Sequence, residues 1–273
     1  EIEERDWSSD VCSSDLCVLF FLFFLSSSHS FVLSLGYTLP MSKYEFSLTT
    51  FNPSGKLLQI EYALRAVQSG SLCLGIKTKD GVVLGAEKKL PPLLDPATVS
   101  KLSFVTEKIG LTYAGMGPDS RVLLRKGRKA GQAYQLQHQE SIPVAQMVRE
   151  LASIMQEYTQ MGGVRPFGTS LLVAGYDHNG PQLYQVDPSG SFWAWKATAL
   201  GKCMSSAKSF LEKRYKDDME MEDAIHTAIL TLKDSFEGVM TEHSIEIGVV
   251  TKDDPTFRVL TPAQVKEYLD VLA

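Results

Sequence analysis

The cysteines, the histidines and one dense run of bases are the side chains most able to do chemistry, so their spacing is decisive. Of four cysteines, Cys12 and Cys17 sit in an atypical N-terminal stretch, and Cys73 and Cys203 stand far apart with no CxxC pair. Zinc sites and thiol exchange need closely paired ligands, and the histidines supply neither HExxH nor Cys/His spacing. No metal and no cofactor is expected, and Cys73 and Cys203 read as inert buried thiols in a reducing compartment. Gly115-Met116-Gly117 is a lone GxG without the third glycine of a dinucleotide cradle, which argues against nucleotide binding. Arg121, Arg125, Lys126, Arg128 and Lys129 could meet phosphates or an import receptor. A spacing of four puts Arg121, Arg125 and Lys129 on one helix face, however, the pattern of a solvated or intersubunit surface.

These groups must be held by ordered elements, and the most informative stretch is 51–63, FNPSGKLLQIEYA. Asn52-Pro53-Ser54-Gly55 predicts a tight turn, because proline presets φ and Asn, Ser and Gly tolerate what remains. A helix follows at once: Leu57, Ile60, Ala63, Leu64 and Val67 recur at helical spacing, so it carries an apolar face that must lie on something. Runs at 71–78 and 81–88 flank Lys79-Asp80-Gly81, a strong hairpin signal, and a second strand pair follows at 102–106 and 109–114. These four strands read as one sheet. Pro91, Pro92 and Pro96 forbid regular structure between the two pairs.

Helices are predicted at 118–138 and from about 143, the latter capped by Ser141 and carrying Val144, Met147, Val148, Leu151, Ile154, Met155 and Tyr158 on one face. Strands at 167–176, 182–186 and 191–195 form a second sheet. Helices at 202–215 and 221–236, strands at 244–251 and 257–260, and a helix opened by the capping box Thr261-Pro262-Ala263-Gln264 complete the chain. Strand groups alternating with helix pairs predict two sheets face to face with helices outside, and no linker divides 41–273, which reads as one domain.

Residues 1–40 differ in kind. They hold six of the 32 acids and one of the 27 bases, so the remainder is neutral, with 26 of each, and nothing steers it towards nucleic acid or membrane. The ten-residue run 16–25, LCVLFFLFFL, is too short to span a bilayer, and its acidic flank is unlike a signal peptide. The string RDWSSDVCSSDL resembles a translated sequencing adapter. The segment 1–40 is therefore read as a disordered, non-native leader, with Met41 as the start.

The turn and helix at 51–63 resemble the signature of proteasome alpha subunits, F-S-P-x-G-[RK] followed by Q-[VI]-[DE]-Y-A, with Asn52 where that family usually has Ser. The resemblance continues through GGVRPFG at 162–168, KATALGK at 196–202, FLEKRY at 210–215 and EDAIHTAILTLK at 222–233. It implies an α+β fold, a four-layer αββα sandwich of the N-terminal-nucleophile hydrolase type with an added N-terminal alpha-subunit helix. It further implies a non-catalytic member of a heteroheptameric ring in the 20S core, in cytoplasm and nucleus, serving ubiquitin-dependent degradation. Ring neighbours, beta-ring subunits and regulatory caps or activators would be its partners.

Catalytic beta subunits use a free N-terminal threonine released after glycine. Here Gly70-Ser71 stands at the comparable place inside the chain, and a hydroxyl activated by its own α-amine needs that amine free. The alternative is an active hydrolase using Ser71 with Glu87 and Lys101; a free, reactive N-terminal hydroxyl residue would distinguish it. By resemblance Lys101, with Glu61, Gly115 and Met116, lines a pocket that receives an activator's C-terminal carboxylate, a charge-assisted pairing. Leu64 stands where some relatives carry a further base, which implies a weaker clamp. Tyr44, Glu45, Pro53 and Tyr62 match residues that order the gating tails, with Glu45 replacing a frequent Asp and Phe46 an Arg.

Overall fold

A proline-rich loop and two occupied sheet edges decide the architecture of this computed structural model, which describes residues 50–271 except 92, 237 and 239. The leader 1–40 and the tail with Tyr44 and Glu45 lie outside the described residues. Helix α1 (Leu58–Gln68) leads into β1 (Cys73–Lys77) and β2 (Gly81–Glu87), the expected antiparallel hairpin, with Lys77 opposite Val82. The next pair, β3 (Leu102–Thr106) and β4 (Ile109–Gly115), does not join that hairpin as the sequence suggests. Its outer sides are both taken. The strand β9 (Ile245–Thr251) pairs with β2 along its whole length, and β8 (Ala197–Leu200) pairs with β1. The loop containing Pro91 and Pro96 instead carries the chain across to the opposite sheet.

The first sheet has the order β10-β9-β2-β1-β8, where β10 is Arg258–Val259. The second has the order β3-β4-β5-β6-β7, with β5 (Thr169–Asp177), β6 (Gly180–Val186) and β7 (Phe192–Ala194). Helices α2 (Gly117–His138) and α3 (Val144–Gln160) cover the second sheet. Helices α4 (Met204–Arg214), α5 (Met221–Ser235) and α6 (Pro262–Val271) cover the first. The result is the four-layer αββα sandwich. No described helix is long and apolar enough to cross a membrane.

Strand β5 shows why its sequence is a continuous apolar run. Successive side chains point to opposite faces. Leu171 and Val173 pack under α2 and α3, while Leu172 and Ala174 pack between the sheets with Leu84, Leu102 and Leu183. A strand buried on both faces has no polar side to alternate with. The third core, under α4 and α5, joins Leu74 and Ile76 to Leu211, Ile229 and Leu232.

Three local expectations meet the structure differently. The capping box of α6 forms: Thr261 N donates to Gln264 Oε1 at 3.0 Å and Gln264 N to Thr261 Oγ1 at 3.4 Å. Ser141 does not cap α3. Pro143 occupies that position, and Val144 N donates instead to the Asp177 carboxylate at 3.2 Å, a cap supplied by the β5–β6 hairpin. Cys73 is buried as expected but Cys203 is exposed, because it sits in the left-handed turn (φ 61°) before α4 rather than within a packed element.

Leu172→Ala is expected to cost about 2–5 kcal/mol of stability, since it opens a cavity between the sheets. Leu136→Ala, at a position 78% exposed on α2, should stay within about 0.5 kcal/mol. Denaturant unfolding of the two variants checks this; equal losses would contradict the burial of β5 on both faces.

Candidate functional site

Asn52 builds the turn that opens the site. Its backbone N–H donates to Lys56 O at 3.0 Å and its carbonyl accepts from Gly55 N at 2.9 Å. Its side-chain Oδ1 accepts from both Lys56 N and Ser54 Oγ at 2.8 Å. The departure from serine is thus structurally used: the longer amide reaches two donors at once. Pro53 stands exposed at the corner. Lys56 then reaches Glu61 on α1 at 3.0 Å, an exposed pair that ties turn to helix but adds little stability. Tyr62 is exposed, with the Arg65 guanidinium 5.9 Å from its ring centroid.

The far end of α1 enters the sandwich through a contact between two backbones. A Cβ on Gly70 would lie 2.3 Å from Gly115 N, so no larger residue fits there. Gly115 itself has φ +108°, a conformation that L side chains rarely adopt. Gly70 O also accepts from Lys202 N at 2.8 Å. The chain entering Ser71 is therefore fixed, and Ser71 N is a mid-chain amide with no amine to act as base.

Lys101 precedes β3 at the same end of the second sheet as Gly115. Its Nζ lies 4.2 Å from the ring centroid of Tyr113 on β4, a cation–π contact at a half-buried site. Burial lowers its pKa below that of an ordinary lysine, with Cys73, Glu87 and Glu246 opposing the shift. Its backbone is held as firmly: Glu246 Oε2 accepts from Lys101 N at 2.8 Å and from Leu102 N at 3.0 Å. The other oxygen of Glu246 pairs with Lys88 at 2.9 Å, the two side chains being 14% and 8% exposed. Lys101 is therefore not a plainly solvated lysine. Close by, burial pushes the Cys73 thiol up to about 12, so no thiolate is available there.

Met116 follows Gly115 and is 42% exposed at the head of α2. Its N–H donates to Gly168 O at 2.9 Å. Gly168 N in turn donates to Asp119 Oδ2 at 2.9 Å, and Asp119 accepts both Nη atoms of Arg165, at 2.7 and 2.9 Å. The Arg165 guanidinium holds the Asp119 carboxyl below the usual range; burial opposes it and the Gly168 N–H assists.

Lys101, Gly115 and Met116 thus converge at one end of the second sheet, and α1 packs against β4 and β5, while Glu61 on α1 is paired with Lys56 rather than joined to that group. Tyr113, Asp119, Arg165 and Glu246 belong to the same neighbourhood and are not singled out by sequence. Arg165 lies within the motif GGVRPFG, which is its one signal. The basic face of α2 is exposed at Arg121, Arg125 and Lys129, while Lys126 and Arg128 lie over the rings of Tyr158 and Phe104. Among the described residues no group of three or more His, Cys, Asp or Glu could hold a metal ion.

Residues 67–250 match the family model of proteasome subunits, and residues 44–66 match that of the N-terminal signature of A-type proteasome subunits. The chain belongs to the proteasome alpha-subunit family. It is 63% identical over 228 residues to the alpha type-2 proteasome subunit of Dictyostelium discoideum, covering 84% of this chain and 98% of the relative. Identity to the alpha type-2 subunit of Oryza sativa subsp. japonica is 61% over 230 residues, covering 84% and 97%. For the Drosophila melanogaster alpha type-2 subunit it is 54% over 228 residues, covering 83% and 97%. This proteasome alpha subunit is a non-catalytic component of the core and assembles with other proteasome subunits.

In this chain of the alpha family, Asp119 carries a pH signature. An acid whose folded-state pKa is depressed stabilises the fold above its ordinary pKa of about 4, and that gain is lost as pH falls through the lower folded value. The stability gap between the natural chain and Asp119→Asn is expected in full at neutral pH and to close under acid. Urea titrations across pH check this, and a gap that persists unchanged in acid would contradict it.

Proposed function

We propose that this alpha subunit docks the C-terminal carboxylates of regulatory caps and activators at Lys101, and that its tail helps close the pore of the 20S core. The observation that carries the docking reading is the half-buried Lys101 ammonium, held on Tyr113 beside the exposed Gly115–Met116 turn. A partly desolvated cation at a surface turn is poised for a carboxylate, and such a pair is stronger than its solvated equivalent. The turn at Asn52–Gly55 supports the gate reading, since Pro53 stands exposed a few residues along the chain from Tyr44 and Glu45, and Tyr62 is exposed on the helix that follows. In this reading the subunit sits between alpha neighbours over a beta ring, in cytoplasm and nucleus. It contributes no nucleophile of its own to a threonine endopeptidase complex that serves ubiquitin-dependent degradation.

Cores carrying Lys101→Ala in this subunit test the proposal. A lost hydrogen bond to a charged group costs about 1–3 kcal/mol, so binding of a tail-inserting activator should weaken accordingly. Basal peptide hydrolysis should change little. Equal loss of activator-dependent and basal hydrolysis would point to assembly or catalysis instead.

A further inference from the structure

We infer that the Asp119–Arg165 ion pair is the positioning device of this docking site, fixing through Gly168 the Met116 lip beside Lys101. The inference rests on the docking reading above and assigns it a part that does not touch the ligand. Met116 stands at the exposed head of α2, so its place depends on what holds the backbone there. One anchor is helical, Ser120 N donating to Met116 O at 3.2 Å. The other crosses to the segment that enters β5, Met116 N donating to Gly168 O.

Gly168 is thus the link, and it is gripped from its other side. Its N–H donates to Asp119 Oδ2, the same oxygen that accepts Arg165 Nη1, while Asp119 Oδ1 accepts Arg165 Nη2. Arg165 Nη1 also donates to Pro166 O at 3.0 Å, which folds the segment back on the guanidinium. A forked pairing of this kind fixes direction as well as distance. Asp119 lies in the first turn of α2, where a negative charge is favoured by the helix dipole.

Phe167 is buried against Tyr158 and Thr169 pairs with Gly115, so the segment is anchored downstream, whereas its start at 162–163 is open. A Cβ at Gly162 or Gly163 would meet nothing within 4 Å. Removing the guanidinium leaves the Asp119 carboxylate without its forked partner and so loosens its grip on Gly168, whose carbonyl holds Met116. Lys101 is untouched, because its backbone is held by Glu246 and its ammonium lies on Tyr113. Loss of the pair should loosen the lip and leave the carboxylate's charge partner in place.

The test uses assembled cores in which this subunit is natural, Lys101→Ala, Arg165→Ala or Arg165→Lys. The probe is a peptide with a free C-terminal carboxylate and a photoreactive group, compared with its C-terminally amidated twin, and the readout is the cross-linked fraction of this subunit over a range of peptide concentrations. Arg165→Ala is expected to raise the half-saturating concentration about five- to tenfold for both peptides, with preference for the free carboxylate retained. Arg165→Lys should recover a large part of that loss, and basal peptide hydrolysis should stay unchanged. Lys101→Ala should abolish the preference for the free carboxylate.

Natural binding by Arg165→Ala, with the preference lost in Lys101→Ala, would overturn the positioning role and leave the docking reading standing. Retained preference in Lys101→Ala would overturn the docking reading itself. Should Arg165→Ala cores fail to assemble, Asp119→Asn carries the same expectation and the same refutation, since it keeps the volume and weakens the fork.

Discussion

The backbone contact of Gly70 with Gly115 constrains most of what this molecule can do. It seats the chain leaving α1 on the end of β4 so closely that Gly70 cannot carry a side chain without displacing Gly115, while a Cβ on Gly115 would meet Gly168 O on the segment entering β5. The chain runs from α1 into β1 through this contact, and the nitrogen of Ser71 is a mid-chain amide. Helix α1 packs on β4 and β5 at this end of the sandwich. The same contact sets Gly115 and Met116 at the edge of the end that α1 covers.

Charge fixes the neighbouring start of β3. Glu246 is nearly buried yet has each oxygen satisfied, one by Lys88 and the other by the backbone N–H groups of Lys101 and Leu102. A buried ion pair is not in itself a source of stability, since the cost of leaving water offsets its attraction. What it supplies is position, for it ties β9 to the start of β3 and holds the Lys101 backbone. The Lys101 ammonium is left to face an aromatic ring rather than a fixed carboxylate. A lysine already paired to a carboxylate could not readily take another.

Much of the sandwich is legible because most strands and helices are set by local signals. The Asp80-Gly81 hairpin, the apolar stripe of α3 and the Thr261–Gln264 capping box each declare themselves within a few residues. What local signals cannot declare is partnership. The strand β8 is four residues long, too short to show periodicity, yet it occupies one side of β1 and helps send β3 and β4 to the other sheet. The cap of α3 comes from Asp177, 33 residues away, and no inspection of 141–144 would find it. The site divides the same way. Lys101, Gly115 and Met116 are read from motifs, whereas Tyr113, Asp119 and Glu246 matter only through contacts that folding creates.

Peptide mapping of native cores after treatment with an electrophile that captures N-terminal hydroxyl nucleophiles addresses the absence of catalysis in this subunit. The structure predicts an intact, unmodified peptide spanning the Gly70–Ser71 bond, with the label confined to other subunits. Recovery of a chain beginning at Ser71 and carrying the adduct would contradict it.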